Sequence, residues 1–212
     1  MSKSPDGRSR TRLATRQAIS DAATRLFMEK GFDHVTVDEI AAAAGVGRMT
    51  VFSHFPRKEN MFFDLDEEGR ETIHEALRQR DPRVSPVEVL RLLAHRLITE
   101  RSSFVEFNAE TQYYVETIEG SEALKARARA IRDELAEVVA GALSECVGRK
   151  STDMPALLAA NLLLATWTVA YLQAHRIFRK SRNTKKAEAA FLAVVDNGAL
   201  GVKAAMAGTP YV

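Results

Sequence analysis

Apolar residues recur at helical spacing along almost the whole chain, and this periodicity limits the possible folds more than any other feature. Near the N-terminus, Ile19, Ala22, Ala23, Leu26 and Phe27 follow the i, i+3, i+4, i+7, i+8 pattern of one buried helix face. Alternation of apolar and polar residues, which is typical of strands, extends over only a few positions anywhere. The sequence therefore predicts an all-α protein.

Two short helices are predicted on either side of a glycine turn. Thr36 and Glu39 form a capping box, in which the threonine hydroxyl accepts from the amide of Glu39 and the glutamate reaches back to the backbone. An apolar stripe follows, and Gly45 ends this first helix. The second helix ends at Phe55, because Pro56 disfavours helical backbone in the residue before it. The pair is a helix-turn-helix candidate.

The second of these helices has one apolar and one polar side. The residues predicted to face inward are Val46, Val51, Phe52 and Phe55. Reading the DNA major groove requires a thin helix that is packed on one face and carries hydrogen-bond donors on the other. The whole chain has a formal net charge of only +2, but residues 1–16 hold five Lys and Arg against one Asp. Basic charge is thus concentrated beside the motif, which favours a local nucleic-acid-binding surface.

Two runs of sequence, Thr36–Ala41 and Gly45–Glu59, carry a recognisable pattern, and the second contains His-Phe-Pro-x-Lys-Glu. This pattern resembles the DNA-binding signature of TetR-family (tetracycline-repressor-like) regulators. The motif-level resemblance covers about residues 12–64, and the rest agrees in size and helix count. It implies a three-helix DNA-binding domain at 1–57, with a flexible basic arm at 1–10. A larger helical ligand-binding and dimerisation domain would follow at 58–212, for about nine helices in total.

The resemblance also implies which residues contact DNA. The side chains expected to face the groove floor are Arg48, Met49 and Thr50, and Ser53 is expected near the DNA backbone or a base edge. Those expected at phosphates are Thr36, His54 and Lys58, and those expected in the adjacent minor groove are Arg10 and Arg12. Two positions depart from the family pattern. Phe52 replaces a frequent Tyr and lacks its hydroxyl, and Gly47 replaces a commoner Ser, which weakens the helix cap by a few tenths of a kcal/mol.

Six helices are predicted after the DNA-binding motif, at 58–80, 86–101, 104–118, 121–147, 154–179 and 184–206. The last two are expected to pair with their symmetry mates, since a two-fold dimer matches a palindromic operator. Two glycines in the last helix would permit close approach of another helix. The residues predicted at the dimer interface are Phe191, Val194, Val195, Gly198 and Val202.

The family places a ligand pocket among the middle helices. Candidate lining residues combine apolar bodies with a few polar tips, which suits a small, mostly apolar ligand oriented by one or two hydrogen bonds. They are Phe104, Phe107, Asn108, Gln112, Tyr113, Tyr114, Asn161, Trp167, Tyr171 and His175. Each of these residues could equally be an ordinary core residue. The sequence also leaves open a regulator that responds to no ligand.

An all-helical carboxylate metalloenzyme is the alternative from another class. Glu71 and His74 have the Glu-x-x-His spacing, and Asp64, Glu67 and Glu68 share their helix face. A di-iron site needs two such motifs, and the chain has one, so we expect neither a metal nor a cofactor. The single cysteine, Cys146, excludes an intramolecular disulfide and a multi-cysteine zinc site.

The stretch from Ala156 to Ala174 carries no formal charge and is nearly long enough to span a bilayer. It contains polar residues and several alanines, which favours a buried helix of a soluble bundle. The N-terminus lacks the apolar segment of a secretory signal, so a cytoplasmic protein without a membrane partner is expected. Together these patterns predict a DNA-binding regulator without enzymatic activity, namely a homodimeric repressor that a small ligand releases from its operator.

Overall fold

The computed structural model describes the backbone of residues 5–64 and 66–212, and the side chains of residues 9–64 and 69–212. Over these residues the secondary structure consists of α-helices and short 3₁₀ turns, without a strand. The first five helices are α1 (Pro5–Lys30), α2 (Val37–Ala43), α3 (Arg48–His54), α4 (Lys58–Phe62) and α5 (Asp66–Arg78). The others are α6 (Pro86–Thr99), α7 (Ala109–Gly120), α8 (Glu122–Cys146), α9 (Met154–Ser181) and α10 (Thr184–Ala205). The predicted all-α class is confirmed.

Three element boundaries differ from the sequence prediction. The helix predicted over 58–80 is divided into α4 and α5, because Phe63 leaves the helical conformation with a ψ of 37°. The helix predicted from residue 104 begins at Ala109, after a 3₁₀ turn and a reciprocal cap between Asn108 and Thr111. Residues 5–10 belong to α1, where a flexible arm was expected, and residues 1–4 lie outside the described part.

The chain divides into two compact units. The first comprises Met1–Asp66 and Thr117–Arg127, and the second comprises Glu67–Glu116 and Ala128–Val212. In the first unit, apolar side chains of the N-terminal helices form one core, to which Leu124 contributes from the distant segment. The functional boundary predicted between residues 57 and 58 stays a prediction.

The core of the second unit centres on the packing of α9 against α10. Gly198 permits the close approach of the two helices, since a Cβ at this position would lie 2.1 Å from Cγ2 of Thr166. The expected close approach at Gly198 is therefore made by α9 of the same chain. Polar groups connect α10 to α6, where Asp196 accepts from Arg91 at 2.7 Å and Lys203 donates to Glu88 at 2.7 Å.

Candidate nucleic-acid interface and ligand site

The start of α2 is held by the capping box that the sequence predicts. Thr36 Oγ1 accepts from the Glu39 amide at 3.2 Å, and the Glu39 carboxylate accepts from the Thr36 amide at 2.8 Å. Lys30 donates to the other carboxylate oxygen at 2.6 Å. The hydrogen bond from Lys30, followed by those from Thr36, lowers the pKa of Glu39 to about 2. The carboxylate therefore stays ionised at neutral pH and keeps the cap closed.

The turn between α2 and α3 fixes how the second helix is presented. Gly45 has a φ of +66°, a conformation that favours glycine, and the Val46 amide donates to the carbonyl of Ala41 at 3.0 Å. On α3, Val51 is fully buried, and Phe55 just after the helix is 1% exposed. The opposite side of α3 is left to solvent.

The exposed side of α3 carries the residues that the sequence assigns to DNA. Met49 is 78% exposed, Arg48 and Ser53 are exposed, and Thr50 is half-buried. Arg48 makes an ion pair with Asp38 of α2 at 2.6 Å, and its guanidinium lies 5.5 Å from the centre of the Phe52 ring. An ion pair this exposed contributes at most about 1 kcal/mol, so Arg48 is free to exchange Asp38 for another acceptor.

Arg16 of α1 is a positioning residue that the sequence analysis did not identify. Its guanidinium donates to the carbonyl of His54 at 2.9 Å, pairs with Asp64, and lies 4.2 Å from the ring centre of Phe55. It thereby joins the end of α3 to α1. The partners lie 38 and 48 residues away in the sequence, so no local spacing could have indicated these contacts.

Lys58 is engaged within the protein. Its ammonium donates to the carbonyls of Phe32 at 2.8 Å and Val35 at 2.9 Å, and it lies 4.2 Å from the centre of the Phe32 ring. Burial lowers its pKa. Because an ammonium has three protons, one remains for a further acceptor. Arg10 and Arg12 are exposed on α1, and His54 is half-buried at the end of α3.

An aromatic cluster in the second unit brings together four of the ten residues predicted to line a pocket, and a fifth, Gln112, is hydrogen-bonded to it. Phe107 lies 5.9 Å from Tyr171, 5.1 Å from His175 and 5.8 Å from Phe191, measured between ring centres. Trp167 packs edge-on against Phe191 at 5.9 Å. Phe191 is a member that the pocket prediction lacked.

The polar side of this cluster is formed by Gln112 and His175. Gln112 Oε1 lies 3.2 Å from His175 Nδ1, and Gln112 Nε2 donates to Glu116 at 2.8 Å. Burial lowers the pKa of His175 to about 4 and raises the pKa of Tyr171 to about 12. At neutral pH the histidine is therefore uncharged and the tyrosine keeps its proton.

The other predicted pocket residues have different surroundings. Asn161 is exposed and donates to the carbonyl of Leu157 at 2.9 Å, and Asn108 caps α7. Tyr113 is 40% exposed, and Phe104 and Tyr114 are half-buried. The structure thus separates a compact aromatic group from residues that cap a helix or face solvent.

Residues 19–65 match the family model of bacterial regulatory proteins of the tetR family. The chain is also 31% identical over 157 residues to the proposed mycofactocin biosynthesis transcriptional regulator MftR of Mycobacterium tuberculosis, which covers 73% of this chain and 77% of MftR. This chain belongs to the TetR family. It is 37% identical over 86 residues to the transcriptional regulator AcrR of Shigella flexneri, and this match covers 39% of the chain but only 40% of AcrR.

The fold agrees with solved structures of TetR-family regulators. The crystal structure of FadR from Thermus thermophilus, a TetR-family repressor in complex with lauroyl-CoA, has a TM-score of 0.54 and 22% identity, over 88% of this chain and 92% of FadR. The matched relatives are named as transcriptional regulators and repressors, which agrees with the prediction that this TetR-family chain is not an enzyme.

The predicted dimer residues of this TetR-family chain lie mostly on the inner side of α10. Phe191 and Val195 are 1% exposed and Val202 is 3% exposed, all within the core of the same chain. Gly198 faces Thr166 of α9, and Val194 is half-buried. Side chains buried in their own chain cannot also face a second copy. Any dimer surface on α10 therefore has to use its other side.

The described residues contain no group of three or more His, Cys, Asp or Glu that could hold a metal ion. The side chains of Glu67 and Glu68, which the metalloenzyme alternative needs, lie outside the described part. His74 lies 3.8 Å from Glu145. Cys146 donates to the carbonyl of Leu143 at 3.1 Å, and burial raises its pKa, so its thiol is protonated and unreactive at neutral pH.

Proposed function

We propose that this chain is a homodimeric transcriptional repressor that binds a palindromic DNA operator through α3 and is released by a small, mostly apolar ligand. The observation that carries the proposal is the geometry of α3. One side of the helix is anchored in the core by Val51, and the other presents Arg48 and Met49 to solvent. A single helix with this division fits the width of the major groove.

The surroundings of α3 support a reading role because they hold the helix before DNA arrives. Arg16 fixes its C-terminal end, and the capping box fixes α2 beside it. Arg48 changes only its acceptor, from Asp38 to a base edge or phosphate. Thr36, exposed at the start of α2, would meet a phosphate, and Lys58 would offer its third proton to the backbone.

A binding titration on the DNA upstream of the chain's own gene, against random DNA at several salt concentrations, tests this proposal. Tight, saturable binding at two chains or a multiple per site would support it. Arg48→Ala should lose affinity for the operator but much less for random DNA, because a bidentate arginine–guanine pair contributes about 1–3 kcal/mol of discrimination.

Arg83→Ala is the matched control for the loss of one positive charge, since the Arg83 side chain is 89% exposed and lies outside the DNA-binding motif. It should leave the discrimination between operator and random DNA unchanged. If Arg48→Ala lost equal affinity for both DNAs, Arg48 would be a phosphate contact and not a base contact. If wild-type protein did not discriminate between operator sequences selected from a random pool and other DNA, the proposal would fail.

The dimer surface we propose is the outer side of α9 and α10. On α10 the charged residues Asp196 and Lys203 are directed to α6 by their ion pairs. The exposed charged side chains Lys185 and Lys186 are confined to the first turn of α10, and the exposed positions after them are uncharged. These positions are Ala189, Ala193, Asn197, Leu200, Gly201, Ala204 and Ala205. On α9 the exposed side includes Leu158 and Val169, which are 51% and 58% exposed. An exposed, largely apolar surface that extends over two packed helices supports its use as an interface.

By length and composition α9 is also long and apolar enough to cross a membrane. Its packing along α10 and the burial of its other side in the core favour a helix of a soluble bundle. Dimerisation through the outer side accounts for its remaining apolar exposure without a membrane, in agreement with a cytoplasmic repressor.

Leu200→Glu tests the dimer surface, because Leu200 lies among the exposed positions of α10 and is 65% exposed. The change should convert the dimer to a monomer in analytical ultracentrifugation and weaken operator binding, since two half-sites are no longer bound together. Leu92→Glu, at an exposed leucine of α6, is the matched control and should leave both unchanged. A Leu200→Glu protein that stays dimeric would contradict the proposed surface.

A ligand-controlled repressor is supported by the aromatic cluster, whose apolar faces and few polar groups suit a small apolar ligand. The FadR structure contains lauroyl-CoA, so the same fold holds a ligand in another protein. The alternative is a regulator without a ligand. Release of the operator on addition of apolar compounds, measured with the titration above, would support the ligand-controlled repressor and exclude the regulator without a ligand.

A further inference from the structure

The hydrogen bonds around Gln112 determine which nitrogen of His175 carries the proton. The Glu116 carboxylate can only accept, so the Gln112 group that lies 2.8 Å from it must be the amide nitrogen. The amide oxygen then faces His175 Nδ1 at 3.2 Å. Because that oxygen accepts, Nδ1 carries the proton and donates it.

His175 Nε2 is consequently a hydrogen-bond acceptor. Burial lowers the pKa of His175 to about 4, so the ring holds a single proton at neutral pH and that proton is on Nδ1. Nε2 is buried and has no hydrogen-bond partner among the residues that the structure describes, and the residue as a whole is 2% exposed. An acceptor buried without a partner is costly, typically by about 1–3 kcal/mol, so a site that leaves one unpaired is prepared for a donor.

The surroundings of this acceptor are aromatic. The centre of the His175 ring lies 4.5 Å from the ring centre of Tyr171 and 5.1 Å from that of Phe107. Phe191 packs against Phe107 and Trp167 packs against Phe191, so these two rings extend the apolar group. A molecule that reaches Nε2 therefore has to place an apolar or aromatic body among these rings.

We propose that His175 Nε2 selects ligands that carry a hydroxyl or N–H donor on an apolar body, and that it excludes ligands whose only polar group is an acceptor. This inference rests on the proposed ligand-controlled function and specifies its ligand class. A carboxylate is excluded twice, because its lone pairs oppose those of Nε2 and because the aromatic surroundings do not stabilise its charge.

Two probes of nearly equal shape test the selection in the wild-type protein. Para-butylphenol carries a donor, and para-butylanisole is the same body with that donor replaced by a methyl ether. Binding is measured by calorimetry and by the fluorescence of Trp167, the only tryptophan of the chain, which lies in the cluster. The phenol should bind about tenfold more tightly than the ether, as one buried hydrogen bond allows, and para-butylbenzoate should bind less tightly than either.

His175→Phe removes the acceptor and keeps an aromatic ring of similar size. In this variant the phenol and the ether should bind within about twofold of each other. Tyr113→Phe is the control, since it removes a phenolic hydroxyl from a side chain that is 40% exposed and lies outside the cluster, and it should preserve the preference for the phenol. Thermal unfolding of each variant checks that it is folded, and the wild-type comparison needs no variant at all.

Equal affinity of the two butyl compounds for wild-type protein, or a phenol preference that persists in His175→Phe, would overturn the inference. Operator binding is measured on the same preparations. A protein that binds its operator but does not distinguish the probes would contradict this inference and leave the repressor proposal standing. A protein that does not discriminate between DNA sequences would contradict the repressor proposal, whatever the probes do.

Discussion

Gly198→Ala probes the contact on which the packing of α9 against α10 depends. A Cβ at position 198 would lie 2.1 Å from Thr166 Cγ2 and 2.6 Å from Thr166 Oγ1, whereas real Cβ contacts under 3.0 Å essentially do not occur. Thr166 is held in place because its hydroxyl donates to the carbonyl of Leu162 at 2.8 Å. The added methyl group must therefore displace the helices or force Thr166 to another rotamer.

Two opposing terms set the size of the effect. Replacing glycine by alanine inside a helix stabilises it by up to about 1 kcal/mol. Inserting a methyl group into a filled contact costs about 1–3 kcal/mol, and the overlap at Gly198 places it at the upper end. We expect a net loss of about 2 kcal/mol, which for a chain of this length lowers the melting temperature by about 4–8 °C.

Denaturant unfolding at one fixed protein concentration measures this loss. Gly141→Ala is the control, because Gly141 lies inside α8 with nothing within 4 Å of a built Cβ. It carries the same gain in helix propensity without the overlap and should be stabilising by about 0.5–1 kcal/mol. The difference between the two variants isolates the packing term.

A double-mutant cycle with Thr166→Ala identifies the partner. Thr166→Ala removes Cγ2 and Oγ1, so that only the Cβ of residue 166 remains near the new Cβ of residue 198, at 2.9 Å. Most of the stability that Gly198→Ala loses should therefore be recovered in the double mutant, with a coupling energy of about 1–2 kcal/mol. If Gly198→Ala were as stable as Gly141→Ala, or if Thr166→Ala gave no recovery, the close approach of α9 and α10 would be wrong.

Thr36→Ala should destabilise the first unit by about 1 kcal/mol in denaturant unfolding, because α2 loses its cap, and Thr36→Ser should restore the stability. The fold lowers the pKa of His175 from 6.5 to about 4, so the contribution of the neutral ring to the free energy of unfolding is complete above about pH 6.5 and is lost as the pH falls toward 4. In urea unfolding, the free energy of unfolding should fall by about 2 kcal/mol between about pH 7 and pH 5, and His175→Phe should abolish this fall. Arg16→Met keeps the packing on Phe55 but leaves the His54 carbonyl and Asp64 without the guanidinium. The change should lower the free energy of unfolding by about 1–3 kcal/mol and weaken operator binding. Unchanged operator affinity would show that α3 is held in position without Arg16.

Local sequence signals predicted the elements that depend on neighbouring residues. The capping box of Thr36 and Glu39, the end of α2 before Gly45 and the end of α3 before Pro56 all involve residues within a few positions of one another. Hydrogen bonds of this range form in the same way in any fold, so the sequence alone reveals them. The reciprocal cap of Asn108 and Thr111 has the same range, and it would have placed the start of α7 correctly.

Contacts between distant residues were decided only by the tertiary structure. Nothing in the sequence indicates that Arg16 reaches the carbonyl of His54, or that Lys58 donates to the carbonyls of Phe32 and Val35. The pairing of Gln112 with His175, which sets the proton of the proposed ligand acceptor, joins residues 63 positions apart.

The two sides of α10 show this division most clearly. Helical spacing correctly grouped Phe191, Val195 and Val202 on one face, because a 3.6-residue period depends on the sequence alone. The pattern could not say whether that face packs on its own chain or on a second copy, since both environments remove apolar surface from water equally well. Only the position of α9, with Thr166 against Gly198, assigns that face to the core of its own chain.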